Sequence, residues 1–106
     1  MNSEDLYKLI GIQEGRDFGE MKAREFENLV SLELEKHGTV KRQVIVPNRG
    51  DGRRGRIDLT FKAHQVEYPI EIDRKSARQK SIFKVKSFDQ NRAFIILRSP
   101  YKIIKV

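Results

Sequence analysis

Three periodicities divide the chain. Met21, Phe26, Leu29, Val30 and Leu34 recur at helical spacing and stop at Gly38, and Asp17-Phe18-Gly19-Glu20 ahead of them has the spacing of a capping box. This pattern predicts a helix over about 18–37. A shorter helix over 3–10 is expected before it, with Ser3 as N-cap, Glu4 and Asp5 in the first turn and Gly11 at the end. From Thr39 to Val46 β-branched residues dominate, and Pro47 closes what reads as a first strand. Residues 48–55 hold three glycines and nothing apolar, which reads as a loop. In 56–62, Ile57, Leu59 and Phe61 alternate with Arg56, Asp58 and Thr60; in 68–75, Ile70 and Ile72 alternate with Glu71, Asp73 and Lys75. Period two is the mark of half-buried strands, and the short gap at 63–67 makes the two a hairpin. Ser76-Ala77-Arg78-Gln79 again has capping-box spacing and opens a second long helix ending near Ser87. Ala93–Leu97 is a buried strand, broken at Ser99-Pro100 before an apolar tail.

The resulting order is helix, three strands, helix, strand: an α/β fold in αβββαβ order, three layers deep, with a mixed sheet between helices. At 106 residues the chain is expected to be one domain, its core over about 18–98 and the segments 1–15 and 99–106 peripheral. The absence of cysteine excludes disulfides, zinc-thiolate sites and a thiol nucleophile. No apolar run approaches the roughly 18 residues of a membrane span, and the N-terminal layout is not that of a signal peptide, so the expected location is the cytoplasm and no membrane partner is expected.

Charge changes the picture more than composition does. The net charge is +7, but residues 1–37 carry nine acids and five bases, whereas 38–106 carry six acids and seventeen bases. Arg49, Arg53, Arg54 and Arg56 crowd the Gly-rich loop; Arg74, Lys75, Arg78, Lys80, Lys84 and Lys86 crowd the second helix and its approach. Such surfaces attract polyphosphate and release counterions on binding. The glycines do not precede a helix in phosphate-loop order, so their use is to let the arginines follow a nucleic-acid backbone. His37 and His64 have no partner at metal-ligand spacing.

The hairpin carries the candidate chemistry. Glu71, Asp73 and Lys75 project from one face of their strand, and Asp58 lies opposite Glu71 if the turn is 63–66, or opposite Asp73 if it is 64–67. Either register gathers three carboxylates and a lysine. Clustered carboxylates raise one another's pKa unless a cation sits among them, and a hard divalent ion with oxygen ligands can polarise a phosphoryl oxygen and activate water. That is the chemistry of phosphodiester hydrolysis; the alternative is a basic nucleic-acid-binding module whose carboxylates are merely exposed.

Asp58, the strand Pro69-Ile70-Glu71-Ile72 and the acid-x-Lys element Asp73-Arg74-Lys75, in this order on these elements, resemble the PD-(D/E)XK nuclease superfamily over roughly residues 18–98. The pattern departs from the family in lacking a proline before Asp58 and in offering both Glu71 and Asp73 as the second acid. The resemblance implies Asp58, Glu71, Asp73 and Lys75 as catalytic residues. It implies Glu27, or Glu20 two turns earlier, together with Asp58, Glu71 and Asp73 as metal ligands. Where the earlier acid binds metal, a lysine of the next helix assists, here Lys84 or Lys80. Arg49, Arg53, Arg54, Arg56, Arg78, Lys80 and Lys84 are the expected nucleic-acid contacts. The implied cofactor is Mg²⁺, replaceable by Mn²⁺, and the implied partner is DNA, cut by structure (a branch or junction) rather than by long sequence. A homodimer is implied too, built by the segments outside the core.

Overall fold

A computed structural model describes residues 1–47 and 51–106. Its elements are α1 (Ser3–Ile10), α2 (Ala23–Glu35), β1 (Thr39–Val46), β2 (Gly55–Ala63), β3 (Val66–Asp73), α3 (Gln79–Phe88), β4 (Phe94–Arg98) and β5 (Tyr101–Lys105). The five strands form one sheet in the order β1-β2-β3-β4-β5, antiparallel throughout except for the parallel pair β3 and β4 that α3 connects. The expected α/β architecture is therefore present, with α1 and β5 added to the αβββαβ order.

Two apolar layers sandwich the sheet. On one face Leu6 and Ile10 of α1 and Phe26, Val30 and Leu34 of α2 pack on Leu59, Phe61, Ile70, Phe94 and Ile96. On the other, Val85 of α3 packs on Val46, Ile57, Ile95 and Leu97. β4 contributes to both, and it is the strand with no polar face. The terminal segments, expected to be peripheral, are part of the core: Leu6, Ile10, Tyr101 and Ile103 are all buried. Tyr101 alone meets the rings of Tyr7, Phe18 and Phe26.

The helix starts differ from their sequence signals. Asn2, not Ser3, caps α1 through a reciprocal pair with Asp5. α2 begins at Ala23 rather than 18. Arg98 Nη1 donates to the carbonyls of Phe18, Gly19 and Met21, and the Asp17 carboxylate accepts from Gly19 N–H and Ser99 Oγ, so 17–21 stays a turn held by β4 and its following residues. α3 starts at Gln79, and Ser76 does not cap it; Asp73, at the end of β3, accepts the Arg78 N–H instead. An acid at that end also suits the helix dipole.

The hairpin is tighter than expected. Ala63 pairs with Val66, and His64 and Gln65 turn the chain with φ of 53° and 66°, the left-handed pair that a two-residue hairpin turn demands. Its register, Leu59 with Ile70, puts Asp58 opposite Glu71 one step on, the first of the two registers the sequence allows.

Candidate active site

The regular sheet fails along one row. Val40 packs toward α1 and α2, whereas Val44 and Val46 pack toward α3; likewise Phe61 and Leu59 face α1 and α2, but Ile57 faces α3. β1 and β2 thus change faces together at Gln43 and Asp58, keeping their pairing on either side through Arg42 with Leu59 and Val44 with Ile57. β3 does not change: Ile70 and Ile72 stay on the α1/α2 side while Glu71 and Asp73 are buried at 1% and 4% exposure.

Where β2 and β3 part, carboxylates replace carbonyls as acceptors. Asp58 N–H donates to Glu71 Oε1 at 2.9 Å, and Ile72 N–H donates to Asp58 Oδ2 at 2.8 Å. Buried backbone donors must find acceptors, so these side chains fix each other's position as firmly as a ladder bond would. The cost is electrostatic. Burial, and then the neighbouring Glu71 carboxylate, push the Asp58 carboxyl up to about 7 against the opposing pull of the Ile72 N–H and Lys84.

The other acids each have a cation. Glu71 is paired with Lys84, whose ammonium also donates to the Arg56 carbonyl at 3.0 Å and whose side chain is 13% exposed. Asp73 accepts from Arg78 N–H, Arg78 Nε and Ser81 Oγ at 2.9–3.0 Å, so its oxygens anchor α3 to the end of β3. Glu27, on the flank of α2, is held by the Arg42 guanidinium, with Nε 2.8 Å from Oε2.

A cleft of about 430 Å³ opens over this region, lined by Glu27, Gln43, Asp58, Asp73, Lys75 and Arg78 among others. Arg74 and Lys75 form its boundary with a second cleft bordered by the 17–21 turn. The chain matches no known protein-family model, no curated protein and no solved structure.

The structure thus brings Glu27, Asp58, Asp73, Lys75 and Arg78 to one cleft and sets Glu71 immediately behind Asp58. Lys84, expected on the nucleic-acid surface, is turned inward to Glu71; Lys80, Arg53, Arg54 and Arg56 are exposed, Arg56 at the mouth of a separate cleft near Ile45. Glu20 lines the second cleft, away from Asp58. Arg49 lies outside the described residues. Arg42 and Gln43 escaped the sequence reading altogether, because a Lys-Arg-Gln run in an alternating strand carries no sign of a change of face.

The donor set fits a magnesium ion. Such an ion is commonly held by one or two carboxylates with water or phosphate completing its shell. Asp58 and Glu71 provide two adjacent carboxylates, each accepting a backbone N–H of the other's strand, and their mutual repulsion is only partly offset by Lys84. Among the described residues, no three of His, Asp and Glu converge as a closed cage. Nor, among the described residues, is any helix long and apolar enough to cross a membrane.

Proposed function

We propose that the protein is a magnesium-dependent nuclease that hydrolyses phosphodiester bonds in DNA, acting on a branched or otherwise distorted structure. The observation that carries this reading is the carboxylate pair at the parting of β2 and β3, Glu71 buried and half-buried Asp58 in front of it, with Asp58 open to a cleft rimmed by Arg74, Lys75 and Arg78. Lys84 offsets only part of the negative charge of that pair; next to a phosphate path the pair is a ligand set. Bound there, the metal would polarise a phosphoryl oxygen and lower the pKa of a coordinated water.

The chain's own residues divide the remaining tasks. Asp58 and Glu71 would hold the ion. Lys84 keeps an ammonium beside Glu71, in the role that the resemblance gives to a lysine of the following helix, and holds a proton within reach of the carboxylate pair. Lys75 stands at the cleft wall and neutralises charge that develops on the phosphate. Asp73 serves as the anchor of α3, its oxygens accepting from three donors at the start of that helix. Arg53, Arg54, Arg56, Arg78 and Lys80 hold the backbone, which positions DNA without reading its sequence.

One observation favours a second reading, a non-catalytic nucleic-acid-binding module: Glu27, Glu71 and Asp73 each already have a cationic partner. One experiment separates the two. Labelled duplex, single-stranded and four-way-junction DNA are incubated with the protein in Mg²⁺ or in EDTA. The nuclease reading expects cleavage only with Mg²⁺, strongest on the junction. Salt-sensitive binding with intact DNA in every lane would leave the binding module.

A further inference from the structure

Successive residues of a strand point to opposite faces of its sheet. Arg42 and Gln43 do not. Arg42 Nε donates to Glu27 Oε2, and Gln43 Nε2 lies 3.5 Å from Glu27 Oε1, the outer limit of a hydrogen bond, so two neighbours on β1 reach opposite oxygens of one carboxylate on α2. The backbone permits this because Gln43 has φ 53°, inside the left-handed region that residues other than Gly, Asn and Asp seldom enter.

A change of strand face does not by itself call for glutamine. Glycine would adopt the same φ without steric cost, and asparagine with little. What glutamine adds is a neutral donor on a side chain long enough to span from β1 to the helix. Strain kept at a cleft residue, where a less strained choice exists, points from the outlier to a function. Gln43 and Asp58 also fall together at the break in the β1–β2 ladder, between the pairs Arg42 with Leu59 and Val44 with Ile57, and line the same cleft.

We propose that Gln43 is a positioning residue: with Arg42 it clamps both oxygens of Glu27 and so fixes that carboxylate, beside Asp58, as an oriented acceptor for water at the reacting phosphate. The proposal rests on the nuclease reading. A carboxylate held at one oxygen only can still swing about its last torsion; held at both, it presents one orientation to the cleft. Gln43 being neutral, the clamp adds no second positive charge beside Arg42 and leaves the Glu27 carboxylate able to accept from water.

The test compares Gln43→Gly, Gln43→Asn, Glu27→Gln and the Gln43→Gly/Glu27→Gln pair with the parent, by thermal melting, by kcat and KM for Mg²⁺-dependent DNA cleavage, and by the side-chain amide NMR signal of Gln43. Gln43→Gly is expected to melt at or above the parental temperature, because its backbone is relieved, and to lose about tenfold in kcat with KM within twofold. Gln43→Asn keeps the left-handed backbone but not the reach, and should lose kcat similarly. Because Gln43 acts through Glu27, adding Gln43→Gly to Glu27→Gln should cause no further loss, and Glu27→Gln should move the Gln43 amide signal. Parental kcat in the Gly and Asn variants, losses that multiply in the double variant, or an amide signal that stays put would each overturn the clamp. A parent that cuts no DNA in Mg²⁺ would instead overturn the nuclease reading, and the role of Gln43 with it.

Discussion

Asp58 concentrates the consequences at the scale of single residues. Its carboxyl titrates near 7 in the fold against 3.8 in an unfolded chain, so between those values the folded state holds the proton more tightly. The stability it contributes is complete below about 4 and is lost as pH rises through 7. In EDTA, the melting temperature of the parent should therefore fall relative to Asp58→Asn as pH goes from 5 to 8. Mg²⁺, which competes with the proton, should raise the parent's melting temperature more at pH 8 than at pH 5. Equal pH profiles for the two proteins would show that Asp58 is not strained by its neighbours. In cleavage, Asp58→Asn should lose at least about 100-fold, the upper end of what disturbing a metal's outer shell costs, while DNA binding holds or tightens because a negative charge has gone. Lys84 makes a different prediction. Removing one member of a buried ion pair leaves its partner's charge uncompensated, at a cost of about 3–5 kcal/mol. Urea denaturation of Lys84→Met should show this loss, and adding Glu71→Gln should recover most of it; an exposed lysine would show neither.

Between elements, the joint of β3 and α3 runs through Asp73. Asp73→Asn should lower stability by about 1.5–3 kcal/mol, the worth of hydrogen bonds to a charged group, yet keep Mg²⁺-dependent cleavage within about tenfold, whereas Glu71→Gln should abolish it. Loss of cleavage in Asp73→Asn with unchanged metal-dependent melting would return Asp73 to the ligand set. At this scale, too, the sequence's legibility had a definite limit. Periodicity marks the strands β1 to β4 and the two long helices, because each is written in local alternation. β5 was hidden: Ser99-Pro100 reads as a stop, and only the ladder of Tyr101–Lys105 along β4 makes the tail a strand. The start of α2 was misplaced because Arg98, nearly eighty residues away, takes the carbonyls of Phe18, Gly19 and Met21. Asp58, Glu71 and Asp73 could be singled out as acids on adjacent strands. Their division into a pair and an anchor could not, since it depends on β2 changing face while β3 does not, and on α3 delivering Arg78, Ser81 and Lys84.

Over the whole molecule, charge is divided between an acid-rich N-terminal third and a basic remainder. Arg53 and Arg54 are exposed just ahead of β2, at the entrance to the strand that carries Asp58. Each lost phosphate contact to duplex DNA should reduce the slope of log affinity against log salt by roughly 0.9. Replacing both arginines with alanine should flatten it by about twice that, equally across unrelated sequences; an unchanged slope would move the DNA path to Arg78 and Lys80. The change of face at Gln43 reaches beyond the cleft. β1 is a border of the sheet, eight residues long, with Ile45 largely exposed. A straight border of that length offers a continuous row of backbone donors and acceptors on which a stray strand could be added. Because the left-handed residue stands in the middle, the row is split into two short halves, one bearing Lys41 and Arg42, and no incoming strand can follow it from end to end. The change of face that shapes the cleft thus also interrupts the border along which a second strand would be added.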